Sequence, residues 1–193
     1  MPKYLSMTHS NPWTRLTRKL IYENPWIRID EDQVRNPSGG QSLYGCVHFK
    51  NKAIGIIPLD RDGNTWLVGQ YRYVPDEYFW EIPMGGSPEG EDILATARRE
   101  LKEETGLSAA RWTLFMRQHT SNSVTDEEGY VFLAEDLTEG ETEFEETEAI
   151  TVRKLPLTEA VRMVMTGEIT DSISAAGLLK LALSRAVAGD CPV

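Results

Sequence analysis

The order of apolar and polar positions divides the chain into short strand-like pieces and three helix-like ones. From residue 19 the pieces KLIYE, WIRIDEDQVR (26–35) and SLYGCVHF (42–49) read as strands, with a Pro-Ser-Gly-Gly turn at 37–40. They predict a small antiparallel element. A second set follows at 53–58 and 66–73, joined by the turn Asp60-Arg61-Asp62-Gly63-Asn64. Strand-like runs return at 111–118, 129–134 and 150–154, and helical patterns at 158–165 and 172–186. No internal repeat or long linker interrupts them. Mixed strands with helices spread through the chain predict an α/β fold, an α/β/α sandwich around a mixed sheet. The expected division is a disordered start at 1–10, an N-terminal β element over 11–50 and a second domain over 51–193.

The helix predicted over 93–105 carries the densest chemistry. Asp92 suits its N-cap, and Gly106 suits the left-handed residue after its end. Leu94, Ala97 and Leu101 fall at i, i+3 and i+7 and make an apolar stripe. Glu100 and Glu104 lie one above the other on the helix surface, with Glu103 beside them. Each like-charged pair costs roughly a few tenths of a kcal/mol on an exposed helix, and no lysine or arginine lies four residues beyond Glu100. A divalent cation would turn that cost into a gain. Oxygen ligands this dense suit Mg2+ or Mn2+, which keep waters and share a substrate's phosphates. Glu104, at the margin of the apolar stripe, is expected to face a cleft. The competing reading of such acids is a solvated charged face.

Composition narrows the classes. Twenty basic against thirty acidic residues leave a formal charge of −10, which argues against a nucleic-acid polymer as partner. A small phosphorylated ligand stays compatible, because bound cations can supply positive charge. Cys46 and Cys191 are far apart and lack metal-ligand spacing, so no disulfide framework is indicated and a reducing compartment fits. The start MPKYLSMTHSNPW has no signal-like apolar core, and no apolar run approaches membrane length. A cytoplasmic enzyme with one substantial core is expected.

Gly85, Glu91, Arg99, Glu100, Glu103, Glu104 and Gly106 stand at the spacing G-x5-E-x7-R-E-U-x-E-E-x-G-U, with Leu101 and Leu107 in the aliphatic slots U. At about 5–7% usage per residue type, the seven fixed positions would coincide at a given start about once in 10^8 to 10^9. The segment resembles the Nudix box, and the chain is identified as a member of the Nudix hydrolases. The resemblance implies metal-dependent hydrolysis of a nucleoside diphosphate linked to another group. It implies Glu100 and Glu104 as core metal ligands, Glu103 as their assistant and the backbone carbonyl of Met84 as a further ligand. Arg99 would orient a neighbouring carboxylate with Glu91 in the same network; a purely structural Arg99–Glu91 pair is the alternative.

Upstream, Gln70-Tyr71-Arg72-Tyr73 and Trp80-Glu81-Ile82-Pro83-Met84-Gly85 resemble segments of ADP-ribose and nucleoside diphosphate sugar hydrolases. By that resemblance Arg72 would grip a phosphate through its planar fork, and Glu81 would contact the base or a ribose hydroxyl. An ion pair and a structural acid are the plainer readings. The N-terminal strands, with Trp13 and Trp26, would build a homodimer whose partner completes the nucleotide pocket.

Between Glu135 and Glu148 stand eight acids and no base. The bland reading is a solvated acidic loop. By resemblance, Glu146 is the leading general-base candidate and Glu148 a further metal ligand, with Glu143 and Glu145 as substitutes. His119 is either structural or substrate-contacting. The resemblance group tends to carry a Ser-Pro-Gly loop downstream of the box, whereas Ser121 to Glu127 reads SNSVTDE with no proline anywhere between Ser108 and Leu155. Glu127 is a substrate-facing candidate or an exposed loop acid. That departure sets a nucleoside diphosphate sugar such as GDP-mannose beside ADP-ribose as substrate. Dinucleoside polyphosphates or dinucleotide cofactors form a second substrate class, and a non-catalytic nucleotide-sensing module is the non-enzymatic alternative.

Overall fold

The computed structural model describes residues 10–141 and 150–188, and these fall into two compact units. The first unit, reaching to Lys50 and joined by Ser121–Asp126, is an antiparallel three-stranded sheet. Its strands are β1 (Thr14–Glu23), β2 (Ile27–Arg35) and β3 (Gln41–Phe49), with β2 in the middle. The first strand starts earlier than its apolar run, because β2 pairs with the polar Thr14, Arg15, Thr17 and Arg18 as well. Asp30 and Asp32 are buried on β2 and are held by Arg18, Arg28 and His48. Buried carboxylates need such partners to offset the loss of water. Trp13 meets Tyr44 edge-on, while Leu16, Leu20, Tyr22, Trp26 and Leu43 stay exposed.

In the second unit a mixed sheet has the order β7-β4-β9-β8. Its strands are β4 (Lys52–Pro58), β7 (Met84–Ser87), β8 (Ser108–His119) and β9 (Glu128–Thr138). β4 runs parallel to β9 and antiparallel to β7. Side chains alternate across it. Ile54, Ile56, Phe132 and Ala134 pack against Ala97 and Leu101 of α1 (Ile93–Thr105) on one face. Ile57 and Val131 pack against Ile173 and Leu178 of α3 (Ser172–Ala188) on the other. This is the expected three-layer α/β/α arrangement around a mixed sheet. A smaller antiparallel sheet of β5 (Asn64–Arg72), β6 (Glu77–Glu81) and β10 (Thr151–Pro156) has β5 central, and α2 (Leu157–Met165) follows β10. Among the described residues no helix is long and apolar enough to cross a membrane.

Two strands escaped the sequence pattern, and they are the ones that matter. β6 and β7 hold five and four residues, separated only by Ile82 and Pro83, and they belong to different sheets. The Ile82-Pro83 step is therefore where the chain crosses between sheets.

In the first unit the hydrogen bond from Arg18 holds the Asp32 carboxyl below its ordinary pKa, against the opposing effect of desolvation. A depressed folded-state pKa adds stability above the unfolded value, and that stability is lost as pH falls. Asp32→Asn should therefore give a shallower decline in thermal midpoint between about pH 6 and about pH 3 than the parent chain, measured by circular dichroism.

Candidate active site

α1 begins where the Asp92 side chain accepts the Leu94 N–H and ends at Gly106, whose φ of 72° is left-handed. With Ala97 and Leu101 fixed against the sheet, the helix turns Glu100 and Glu104 toward β7. Both are buried, Glu104 to 1% exposure. Gly85 on β7 lets Glu100 lie there: a Cβ built on Gly85 would stand 2.0 Å from the Glu100 carboxylate carbon and from Oε1. No side chain larger than hydrogen leaves room for that carboxylate. The next strand position is tied as well, since Glu104 Oε2 accepts the Met84 N–H at 3.0 Å.

Relief for the like charges comes from the residue before them. Arg99 Nη1 lies 2.8 Å from Glu100 Oε1 and 2.9 Å from Glu103 Oε2. Its Nη2 donates to the Gly86 carbonyl at 3.4 Å, and Glu91 is at the edge of reach, 4.0 Å from Nε. Burial pulls the Arg99 pKa down, but Glu100 and Glu103 outweigh it and raise it above the ordinary value. Arg99 thus stands in the network expected for it, with Glu100 and Glu103 as its near partners and Glu91 as the far one.

Arg72 and Glu81 are brought together rather than left to separate tasks. Arg72 Nε donates to both oxygens of Glu81 at 3.0 and 3.2 Å, and Nη2 donates to Oε2. The Glu81 side chain is 4% exposed and that of Arg72 38%, so the pair joins a buried carboxylate to a half-exposed guanidinium. Burial lowers the Arg72 pKa, and Glu81, Glu104 and Asp171 together raise it. Among the described residues, Arg72 and Arg99 stand close to the acids Glu81, Glu100, Glu103, Glu104 and Asp171, which outnumber them. Oxygen donors in a negative site fit Mg2+ or Mn2+. Among the described residues no three histidine, cysteine or acidic side chains converge tightly enough to enclose a cation unaided.

Glu127 immediately precedes β9, at the end of the sheet where Gly129 pairs with Ala53 and Ala53 with Gly86. Thr120 Oγ1 donates to it at 2.5 Å. His119 is exposed and faces Glu128 across the β8–β9 ladder. Glu143, Glu145, Glu146 and Glu148 lie outside the described residues. The sequence reading missed Asp171 and Ser174, which meet the Glu81–Met84 segment through Ile82. An Asp-x-x-Ser ahead of an apolar run is a helix-start signal that would have found the pair, although not its contact.

Comparison with known proteins agrees with this architecture. The NUDIX domain family matches residues 49–173, and the nucleoside diphosphate sugar hydrolase N-terminal domain matches residues 13–47. The chain is similar to an ADP-ribose pyrophosphatase of Mycobacterium tuberculosis, 41% identical over 85% of this chain and 80% of that protein. It is also similar to an ADP-ribose pyrophosphatase of Bacillus subtilis, 30% identical over 89% and 94%. A crystal structure of an ADP compounds hydrolase superposes with a TM-score of 0.82 at 19% identity, covering 93% of this chain and 97% of that one, a likeness of fold.

The Gly85 contact yields a direct test. Gly85→Ala should displace the Glu100 carboxylate and weaken Mn2+ binding by about tenfold or more in a titration followed by electron paramagnetic resonance. Gly45→Ala, with nothing within 4 Å of the added carbon, should leave it unchanged.

Proposed function

The chain belongs to the Nudix hydrolase family, and from that premise we propose that it hydrolyses the pyrophosphate bond of a nucleoside diphosphate sugar, ADP-ribose included. Water adds to one phosphorus, the bridging P–O bond breaks, and a nucleoside monophosphate and a sugar phosphate leave. The observation that carries this reading is the Glu100 carboxylate seated over Gly85 beside Glu104 on the Met84 N–H. Two acids gathered beside β7 support a reading in which a divalent ion is held there on a diphosphate.

Nudix hydrolases use divalent metal ions, and in this chain Glu100, Glu104 and the Met84 carbonyl would hold them, with Glu148 as a further ligand. When bound, such ions neutralise charge on the phosphate oxygens and lower the pKa of water. Glu103 supports Glu100 through their shared Arg99. Glu146 is the base that takes the proton from the attacking water. Arg72 turns part of its fork to a phosphate while Glu81 keeps the guanidinium oriented. Glu127 faces the substrate from the end of β9. The apolar residues exposed on the first unit, Leu16, Leu20, Tyr22 and Leu43 among them, support a homodimer.

The two comparisons pull the substrate in adjacent directions. The relatives named ADP-ribose pyrophosphatase favour ADP-ribose, and the N-terminal domain match together with the proline-free loop favours other nucleoside diphosphate sugars. Both share the same scissile bond. In a panel of ADP-ribose, GDP-mannose, other nucleotide sugars, dinucleoside polyphosphates and NADH with Mg2+, chromatography should show nucleoside monophosphate and sugar phosphate from the first groups. Glu104→Gln should cut that turnover on the order of 100-fold or more. Polyphosphates as the only substrates, or full turnover by Glu104→Gln, would overturn the proposal.

A further inference from the structure

The crossing from β6 to β7 is fastened residue by residue to three other elements. The Ile82 N–H donates to Ser174 Oγ of α3 at 3.0 Å. The Pro83 carbonyl accepts the Ile56 N–H of β4 at 2.8 Å. The Met84 N–H donates to Glu104 of α1 at 3.0 Å. Proline contributes no donor, so Ile82 and Met84 supply the backbone N–H groups of the crossing.

The direction of the Ser174 bond is settled by its neighbour. Ser174 is fully buried and its hydroxyl lies 2.7 Å from Asp171 Oδ2. A carboxylate only accepts, so the hydroxyl hydrogen goes to Asp171 and a lone pair is left for the Ile82 N–H. The same Oδ2 accepts the Ser174 N–H at 2.7 Å, which caps the first turn of α3. Ile173 anchors that turn sideways. Its Cγ2 would lie 3.1 Å from a Cβ on Gly55, and its Cδ1 3.0 Å from one on Gly129, so it fills a hollow that two glycines leave on β4 and β9. The start of α3 is thus a fixed point, and the hydroxyl projects from it.

We propose that Asp171 and Ser174 form a positioning pair for the reaction, the Ser174 hydroxyl holding Ile82 so that Glu81 and Met84 stand at the right height on either side. Glu81 carries Arg72, and Met84 carries both the carbonyl assigned to the metal and the N–H that fixes Glu104. The inference rests on the metal-dependent hydrolysis proposed above and adds the device that sets its geometry. It is separate from helix capping, because Ser174→Ala keeps the Asp171 cap on the backbone N–H and removes only the two bonds of the hydroxyl, to the Ile82 N–H and to Asp171 Oδ2.

The test measures Mn2+ affinity by electron paramagnetic resonance, together with kcat and KM, in Ser174→Ala, Asp171→Ala and the double variant. Supporting partners of metal ligands change affinity or activity by about tenfold or more when removed. Ser174→Ala should lose about that much in Mn2+ affinity and kcat, with KM for the best nucleotide sugar within about twofold. Asp171→Ala should melt at a lower temperature than Ser174→Ala, and the double variant should bind Mn2+ no worse than Asp171→Ala alone, because coupled residues do not add. Parental Mn2+ affinity in Ser174→Ala would overturn the proposal whatever its thermal midpoint, and so would losses that add. If the parent bound Mn2+ and hydrolysed no nucleotide sugar, while Ser174→Ala still bound Mn2+ more weakly, the substrate reading would fail and the positioning pair would stand.

Discussion

A single carboxylate oxygen, Glu104 Oε2 on the Met84 N–H, joins the acidic helix to the strand that faces it. The bond is costly to arrange. Glu104 is nearly sealed from water, and a buried carboxylate without partners would be driven out or protonated. Its acceptance of a backbone N–H and the nearby Arg72 guanidinium offset part of that cost. The arrangement then constrains everything beside it. Met84 must present its N–H to α1, Gly85 must lack a side chain where Glu100 lies, and Arg72 must stay on its own side with Glu81.

The charge balance follows from the same constraint. Acids are crowded on α1 because helix geometry puts i and i+4 on one face, and Arg99 reaches only two of them. Acids crowded in this way favour a bound cation, the condition on which the proposed chemistry rests. The chain's acidic composition is compatible with the proposed anionic substrate on this ground, since a bound metal would supply attraction locally where the field of the whole protein does not.

Much of this was legible in the sequence, for identifiable reasons. The box was readable because backbone requirements pin its residue types: Asp92 at the cap, Gly106 at a left-handed position, Gly85 under a carboxylate. The apolar stripe put Glu104 at its margin for the same geometric reason, and the structure buries it there on the Met84 N–H. What escaped was pairing at a distance. β6 and β7 are too short for a period to emerge, and a proline between them hides the change of sheet. Arg72 and Glu81, each read as a substrate contact or, more plainly, as an ion pair and a structural acid, are hydrogen-bonded partners across four register steps of the β5–β6 ladder, Arg72 standing opposite Glu77 and Glu81 opposite Val68. Asp171 and Ser174 lie about ninety residues from Ile82, and no local pattern encodes that meeting.

The segment Ser121–Asp126 shows how a loop can be held without a proline. Proline lowers the entropy of the unfolded loop. Here hydrogen bonds order the folded one: Val47 N–H donates to the Val124 carbonyl at 2.9 Å, Asp126 N–H to the Val47 carbonyl at 3.3 Å and Tyr44 Oη to the Ser123 carbonyl at 2.6 Å. Asp126 closes the row by accepting the Phe49 N–H at 3.0 Å and meeting His48 Nδ1 at 2.5 Å. The loop therefore belongs with β3 of the first unit, although it lies between two strands of the second. Its conformation is governed by hydrogen bonds from residues more than seventy positions earlier, Tyr44 and His48 among them.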